Sequence, residues 1–240
     1  MTSTERKFPA AQVDYRNFRL SKINQAEYRH LKLLLFWPIY FLRYPIIEAI
    51  NTVDRCFPVS CWLDEMIPFH EAFFIPYQLW MVCLLAMTLY TLLYDIPSFR
   101  KYIQFLIISF SISTAIYLIF PTCQNLRPTQ FERDNVLTRL VQMMYQLDTN
   151  TNVCPSEHVI GSMAFLAAAI NTKSLRKPLR LTVIAVLAVV ISLSTVFLKQ
   201  HSMVDVIAAL PVCAVAYWFC YLRKGKNGSN RNPDIRNRRK

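Results

Sequence analysis

Charge and glycine are both scarce in this chain of 240 residues: 18% of positions are Asp, Glu, Lys or Arg, and only three are glycine. Soluble domains run at about 45–50% apolar and about 25% charged. A chain that is 54% hydrophobic, with a mean hydropathy of +0.25, falls outside that class and reads as an integral membrane protein. The seven cysteines contain no CxxC pair, which removes the usual sequence support for a metal site. No internal repeat or low-complexity block interrupts the chain before its tail. No secretory signal pattern opens it either, since the first thirty residues are polar and basic, so the first span itself is expected to direct insertion. Acidic residues number 15 against 27 basic ones, for a net charge of +12. The basic residues cluster between and beyond apolar runs, which is the distribution of cytoplasmic loops and argues against nucleic-acid binding.

What is abundant is apolar sequence in long runs. A basic segment over 1–32 leads into a first span at about 33–50, interrupted by Pro38, Arg43, Pro45 and Glu48. A second span over 72–94 closes at Asp95-Ile96-Pro97, and a third runs from about 102 to 120. The polar stretch 121–157 holds a short helix near 135–147. The next apolar run, 159–170, is only twelve residues, well under the roughly 20 that a hydrocarbon core requires. The basic cluster Lys173, Arg176, Lys177 and Arg180 that follows argues that this run nevertheless crosses. Spans at 181–198 and 202–222 complete the set, and a basic tail from 223 is expected to be disordered.

The resulting expectation is an all-α, six-helix integral membrane bundle. Of the 27 Lys and Arg, Arg55, Arg127, Arg133, Arg139 and Lys199 fall on the outer side, Arg43 lies inside the first span, and all the rest lie on the other side. That asymmetry predicts both termini in the cytoplasm, with the plasma membrane as the expected location. Cys83, Cys213 and Cys220 sit in apolar runs as small hydrophobes. Cys56, Cys61, Cys123 and Cys154 lie in outward segments where a disulfide can form, but spacing does not choose the pairing.

Against this background one polar stretch stands out. His201 and Asp205 are four residues apart, a spacing that on a helix lets the carboxylate hold one imidazole nitrogen and leave the other free. An unremarkable polar helix start produces the same pattern. The topology, however, brings Arg127, His158 and His201 to the same outer surface, with both histidines at helix N-termini, where free N–H groups favour an anion. Pro155 and Ser156 suit the start of such a helix, and the guanidinium of Arg127 matches phosphate oxygens.

These segments resemble the three signature motifs of the type 2 phosphatidic acid phosphatase superfamily, K-x6-R-P, P-S-G-H and S-R-x5-H-x3-D. Arg127-Pro128 matches the end of the first, Pro155-Ser156-x-His158 the second, and Ser194-x6-His201-x3-Asp205 the third. The resemblance implies that His201 is a nucleophile forming a phosphohistidine, that Asp205 holds its tautomer, and that His158 protonates the leaving lipid oxygen. It further implies that Arg127 and Ser156 hold phosphate oxygens, and that no metal or other cofactor is needed. The substrate implied is a lipid phosphate monoester of the phosphatidate or polyprenyl phosphate type, hydrolysed at the outer face.

Three departures bear on that expectation. Phe120 stands where the first motif has Lys, Thr195 where the third has Arg, and Glu157 where the second has Gly. Lys199, one turn beyond Thr195, is the expected substitute cation. The loss of cations keeps a second enzyme reading in play, a lipid phosphotransferase resembling sphingomyelin or inositol phosphorylceramide synthases, since a phosphodiester carries less charge than a monoester dianion. A third reading is a membrane scaffold without activity. The expected partners are the lipid substrate and surrounding membrane lipids, and the sequence does not set the oligomeric state.

Overall fold

The computed structural model describes residues 11–223. The first ten residues and all of the predicted tail beyond Arg223 lie outside the described residues. The described residues are mostly helical and form eight α-helices: α1 (Phe36–Ile50), α2 (Trp62–Met66), α3 (Phe74–Tyr94), α4 (Ile96–Ile119), α5 (Val136–Leu147), α6 (Glu157–Asn171), α7 (Pro178–Phe197) and α8 (Met203–Tyr217). Together with the turns that extend them, α1, α3, α4, α7 and α8 are five helices long and apolar enough to cross a membrane. This is the architecture of a multi-pass membrane protein. The expected fourth of the six spans, α6, does not meet that standard of length. At about 1.5 Å rise per residue its 15 residues cover only about 22 Å, against about 30 Å of hydrocarbon.

The position of α6 explains how a short helix serves. It packs against α3, α4, α7 and α8, and Ile160, Ala164, Ala168 and Ala169 on it are fully buried. A helix enclosed by other helices does not have to match the bilayer with its own length, and small residues let the backbones approach closely. Gly161 is the extreme case: a Cβ there would lie 2.5 Å from the indole nitrogen of Trp80 on α3.

Local chemistry sets the helix boundaries. The third span begins six residues earlier than hydropathy suggests because the Asp95 side chain accepts from Ser98 N–H and Pro97 sits in the first turn, two strong start signals. Asn135 caps α5 in the same way. Within the spans, hydroxyls bond back to the preceding turn, as with Thr88 to the Leu84 carbonyl at 2.9 Å and Ser109 to that of Phe105 at 2.7 Å, so these buried hydroxyls are satisfied without water. The segment before α1 forms short 3₁₀ turns and docks on the α3–α4 junction. Tyr15 donates to the Leu92 carbonyl at 3.0 Å, and Gln12 N–H donates to that of Leu93 at 3.0 Å.

At the other end of the bundle, two-residue strands β1 (Phe57–Pro58) and β2 (Thr122–Cys123) pair in parallel. A Cys56–Cys123 disulfide fastens the same two segments. This end collects the loops that carry the candidate residues.

Gly161→Ala should force the Trp80 ring aside. Overpacking costs about 1–3 kcal/mol, more than the roughly 1 kcal/mol that alanine gains over glycine inside a helix. The expected outcome is a lower thermal unfolding temperature with altered tryptophan fluorescence.

Candidate active site

His201 is held from two directions. Helix α7 ends at Phe197, and Lys199 adopts a left-handed φ of 52°. The chain then folds back so that the N–H groups of Gln200 and His201 both donate to the Thr195 carbonyl, at 2.9 and 3.1 Å. Ser202 caps α8 and Asp205 completes a capping box, its carboxylate accepting from Ser202 N–H at 2.9 Å. The same oxygen, Oδ2, lies 3.2 Å from His201 Nδ1. The expected His–Asp contact is therefore present, but His201 precedes the helix and does not lie on its face. The contact is made across the capping turn, so the polar helix start and the oriented imidazole are one feature.

Asp64 is a partner that sequence reading missed. Its carboxylate accepts from Ser202 Oγ at 2.6 Å, Met203 N–H at 2.8 Å and Cys61 N–H at 2.7 Å. Burial alone would raise its pKa, but the hydrogen bonds from Ser202, Met203 and Cys61 outweigh that and hold the carboxyl below its ordinary value. The start of α8 is thus bound to α2 across 138 residues. No spacing pattern marks Asp64, because its partners become neighbours only after folding. Close to Asp205, burial and the adjacent carboxylate push the Cys154 thiol up to about 12, so it remains protonated at neutral pH.

His158 enters on the first turn of α6. Its ring is stacked on Tyr77 and tilted against Trp80, with both centroids 4.2 Å away. The ring centroids of His158 and His201 are 5.9 Å apart, and both line one cavity of about 300 Å³. The starts of α6 and α8 are also joined directly, Ser156 N–H donating to the Asp205 carbonyl at 3.1 Å.

The residues expected to hold phosphate are arranged differently. Arg127 donates to the carbonyls of Tyr145, Asp148 and Thr149 at 3.1, 2.9 and 2.8 Å, and to Gln200 Oε1 at 2.6 Å. It closes the C-terminal end of α5 and does not line the cavity. Lys199 donates to the carbonyls of Asp64, at 2.6 Å, and Ile67, at 2.5 Å, around the end of α2. It too is absent from the cavity wall, and burial lowers its pKa. In both cases carbonyls left without partners at a helix C-terminus have captured a nearby cation. Ser156 is fully buried, makes no side-chain cap, and its hydroxyl has no hydrogen-bond partner.

The cation that does line the cavity is Arg43, paired with Glu157 at 2.7 Å. Glu48, further along the same helix, accepts from Thr149 and, at 2.7 Å, from Asn152.

With this geometry in view, comparison with protein families finds the PAP2 superfamily over residues 102–229. That match spans more than half of the chain, and the chain belongs to the PAP2 superfamily. The superfamily acts on phosphate esters as phosphatases and phosphotransferases. Neither curated proteins nor solved structures gave a match.

Asp64 makes the alignment at the start of α8 sensitive to acid. A carboxyl with a depressed pKa contributes stability that is complete above its unfolded value of about 4 and is lost as pH falls through the lower folded value. Asp64→Asn should lower the unfolding temperature at neutral pH and remove this part of the acid dependence, measured by thermal unfolding between pH 2.5 and 7.

Proposed function

We propose that this chain transfers a phosphoryl group from a lipid phosphate ester through a phosphohistidine on His201. The observation that carries the reading is the convergence of two imidazoles on one cavity, only one of them tied to a carboxylate. With its Nδ1 proton held by Asp205, His201 presents a neutral Nε2. That atom forms the bond to phosphorus as the bond to the leaving lipid oxygen breaks, and His158 gives that oxygen its proton. An acceptor then delivers its own proton to His158 and attacks phosphorus, and the P–N bond breaks to restore His201. The rings of Tyr77 and Trp80 fix the His158 imidazole and shield it from water. The negative charge of a bound phosphate favours its protonated form.

The site is read as facing the outer side of the membrane. The Cys56–Cys123 disulfide lies at the same end, linked to the site through Cys154 N–H, which donates to Thr122 Oγ1 at 3.0 Å. Disulfides persist in oxidising compartments.

Two forms of the reaction share this machinery. In one, a monoester such as phosphatidate or a polyprenyl phosphate is hydrolysed by water. In the other, a phosphodiester lipid passes its phosphoryl head group to a lipid alcohol. The charge of the cavity favours the second: Glu48, Asp148 and Glu157 line it, against Arg43 as the only Lys or Arg among the described lining residues. A monoester dianion would meet three carboxylates. A monoanionic diester with a cationic head group would meet one cation and several acidic and aromatic partners, among them Tyr44 and Tyr77. Phosphodiester transfer is therefore the form best supported.

The purified full chain should be incubated separately with labelled phosphatidate and with a head-group-labelled phosphodiester lipid plus a lipid alcohol. Formation of a new phospholipid, with little free phosphate from phosphatidate, is expected. Release of inorganic phosphate from phosphatidate as the dominant reaction would restore monoester hydrolysis. His201→Ala should abolish acid-labile labelling of the protein, and Asp205→Asn should lower kcat by about 10²–10⁴-fold, by analogy with other carboxylate-oriented histidines. Activity unaffected by His201→Ala would defeat the proposal.

A further inference from the structure

We propose that Arg43, on the first long helix and outside the segment matched by the superfamily, is the residue that grips the phosphoryl oxygens, receiving them in the place that the Glu157 carboxylate fills in the structure. The inference rests on the phosphohistidine reading and adds the group that holds the substrate's charge.

Arg127 and Lys199 are both occupied by backbone carbonyls, and neither lines the cavity. Arg43 alone among the described Lys and Arg shares the cavity wall with His158 and His201. Its guanidinium is held on three sides. Nη1 donates to Thr114 Oγ1 at 2.5 Å and to the Phe110 carbonyl at 3.3 Å, Nη2 donates to Glu157 Oε2 at 2.7 Å, and the Tyr40 ring lies 4.9 Å from Cζ. Nε is buried without a partner.

Glu157 immediately precedes His158, so its carboxylate brings the guanidinium to the residue that protonates the leaving group. Its Oε2 also accepts from Tyr40 at 3.3 Å, while its Oε1 is buried without a partner. A carboxylate is the side-chain group closest to a phosphate in charge and oxygen spacing, and guanidinium binds both through the same forked donors. A phosphoryl oxygen arriving at His201 competes for the acceptor place on Nη2 that Glu157 occupies. Thr114 and the Phe110 carbonyl hold the other edge of the guanidinium fixed during that exchange.

A purely structural ion pair makes different predictions from a phosphate grip, and orthovanadate, which mimics phosphorus in transfer, separates them. The full chain in detergent would be titrated with vanadate and followed by thermal unfolding and tryptophan fluorescence, alongside kcat and KM. Arg43→Gln is expected to weaken vanadate binding at least tenfold, in the wild-type background and in Glu157→Gln alike. Glu157→Gln alone should leave vanadate affinity unchanged or raise it, because the competing carboxylate is gone. Arg43→Lys, which keeps the charge but loses the fork, should weaken binding severalfold with the unfolding temperature preserved, and it carries the test if Arg43→Gln does not fold.

Equal losses in the two single variants, with wild-type binding restored in the double variant, would assign the pair to structure and overturn the proposal. Vanadate binding that requires His201 but ignores Arg43 would also overturn it, leaving the phosphohistidine reading intact. No vanadate binding by the wild-type chain would remove both.

Discussion

One carboxylate oxygen holds the site together. Asp205 Oδ2 receives the N–H of Ser202, which starts α8, and lies within hydrogen-bond distance of the imidazole of His201, which precedes it. The residue is fully buried, so both interactions act where water does not weaken them. Its backbone carbonyl receives Ser156 N–H at the start of α6, so the same residue also sets how far apart the two histidine-bearing segments lie. Asp64 repeats the device one step outward by holding Ser202 and Met203. Preorganisation here comes from helix termini, where backbone donors are already unpaired and must find acceptors. A helix start that has to be capped in any case becomes the mount for a reactive ring.

The centre of the bundle transmits packing to the same place. Trp80 lies between the backbone of α6 at Gly161 and the ring of His158. The close approach of two helices therefore determines where an imidazole stands. Because α6 is enclosed by other helices, its length answers to this packing and to the position of its first turn, and not to the thickness of the bilayer. A short apolar run is tolerable here and would be unstable facing lipid.

Charge is distributed by competition for acceptors. Helix ends offer bare carbonyls, and Arg127 and Lys199 lie near enough to take them. Arg43 sits in the middle of a helix, away from the bare carbonyls of either end, and its guanidinium reaches across to α4 and α6. The cavity consequently contains one guanidinium among several carboxylates. That balance distinguishes this site from a general anion cradle and bears on which phosphate esters it can hold.

The sequence by itself determined the elements whose causes are local. Apolar run length marked five crossings, Asn135 started a helix where its side chain could cap, and the H-x3-D spacing put Asp205 within reach of His201. Each depends on residues a few positions apart, so a linear pattern carries the information. Only the tertiary structure decided that His158 and His201 face each other, that Cys56 pairs with Cys123, and that Arg43 meets Glu157 across 114 residues. It also decided that Arg127 and Lys199 turn away. A long cationic side chain goes to whichever unpaired acceptor folding brings near, and those acceptors are backbone carbonyls that every residue carries and no sequence pattern distinguishes.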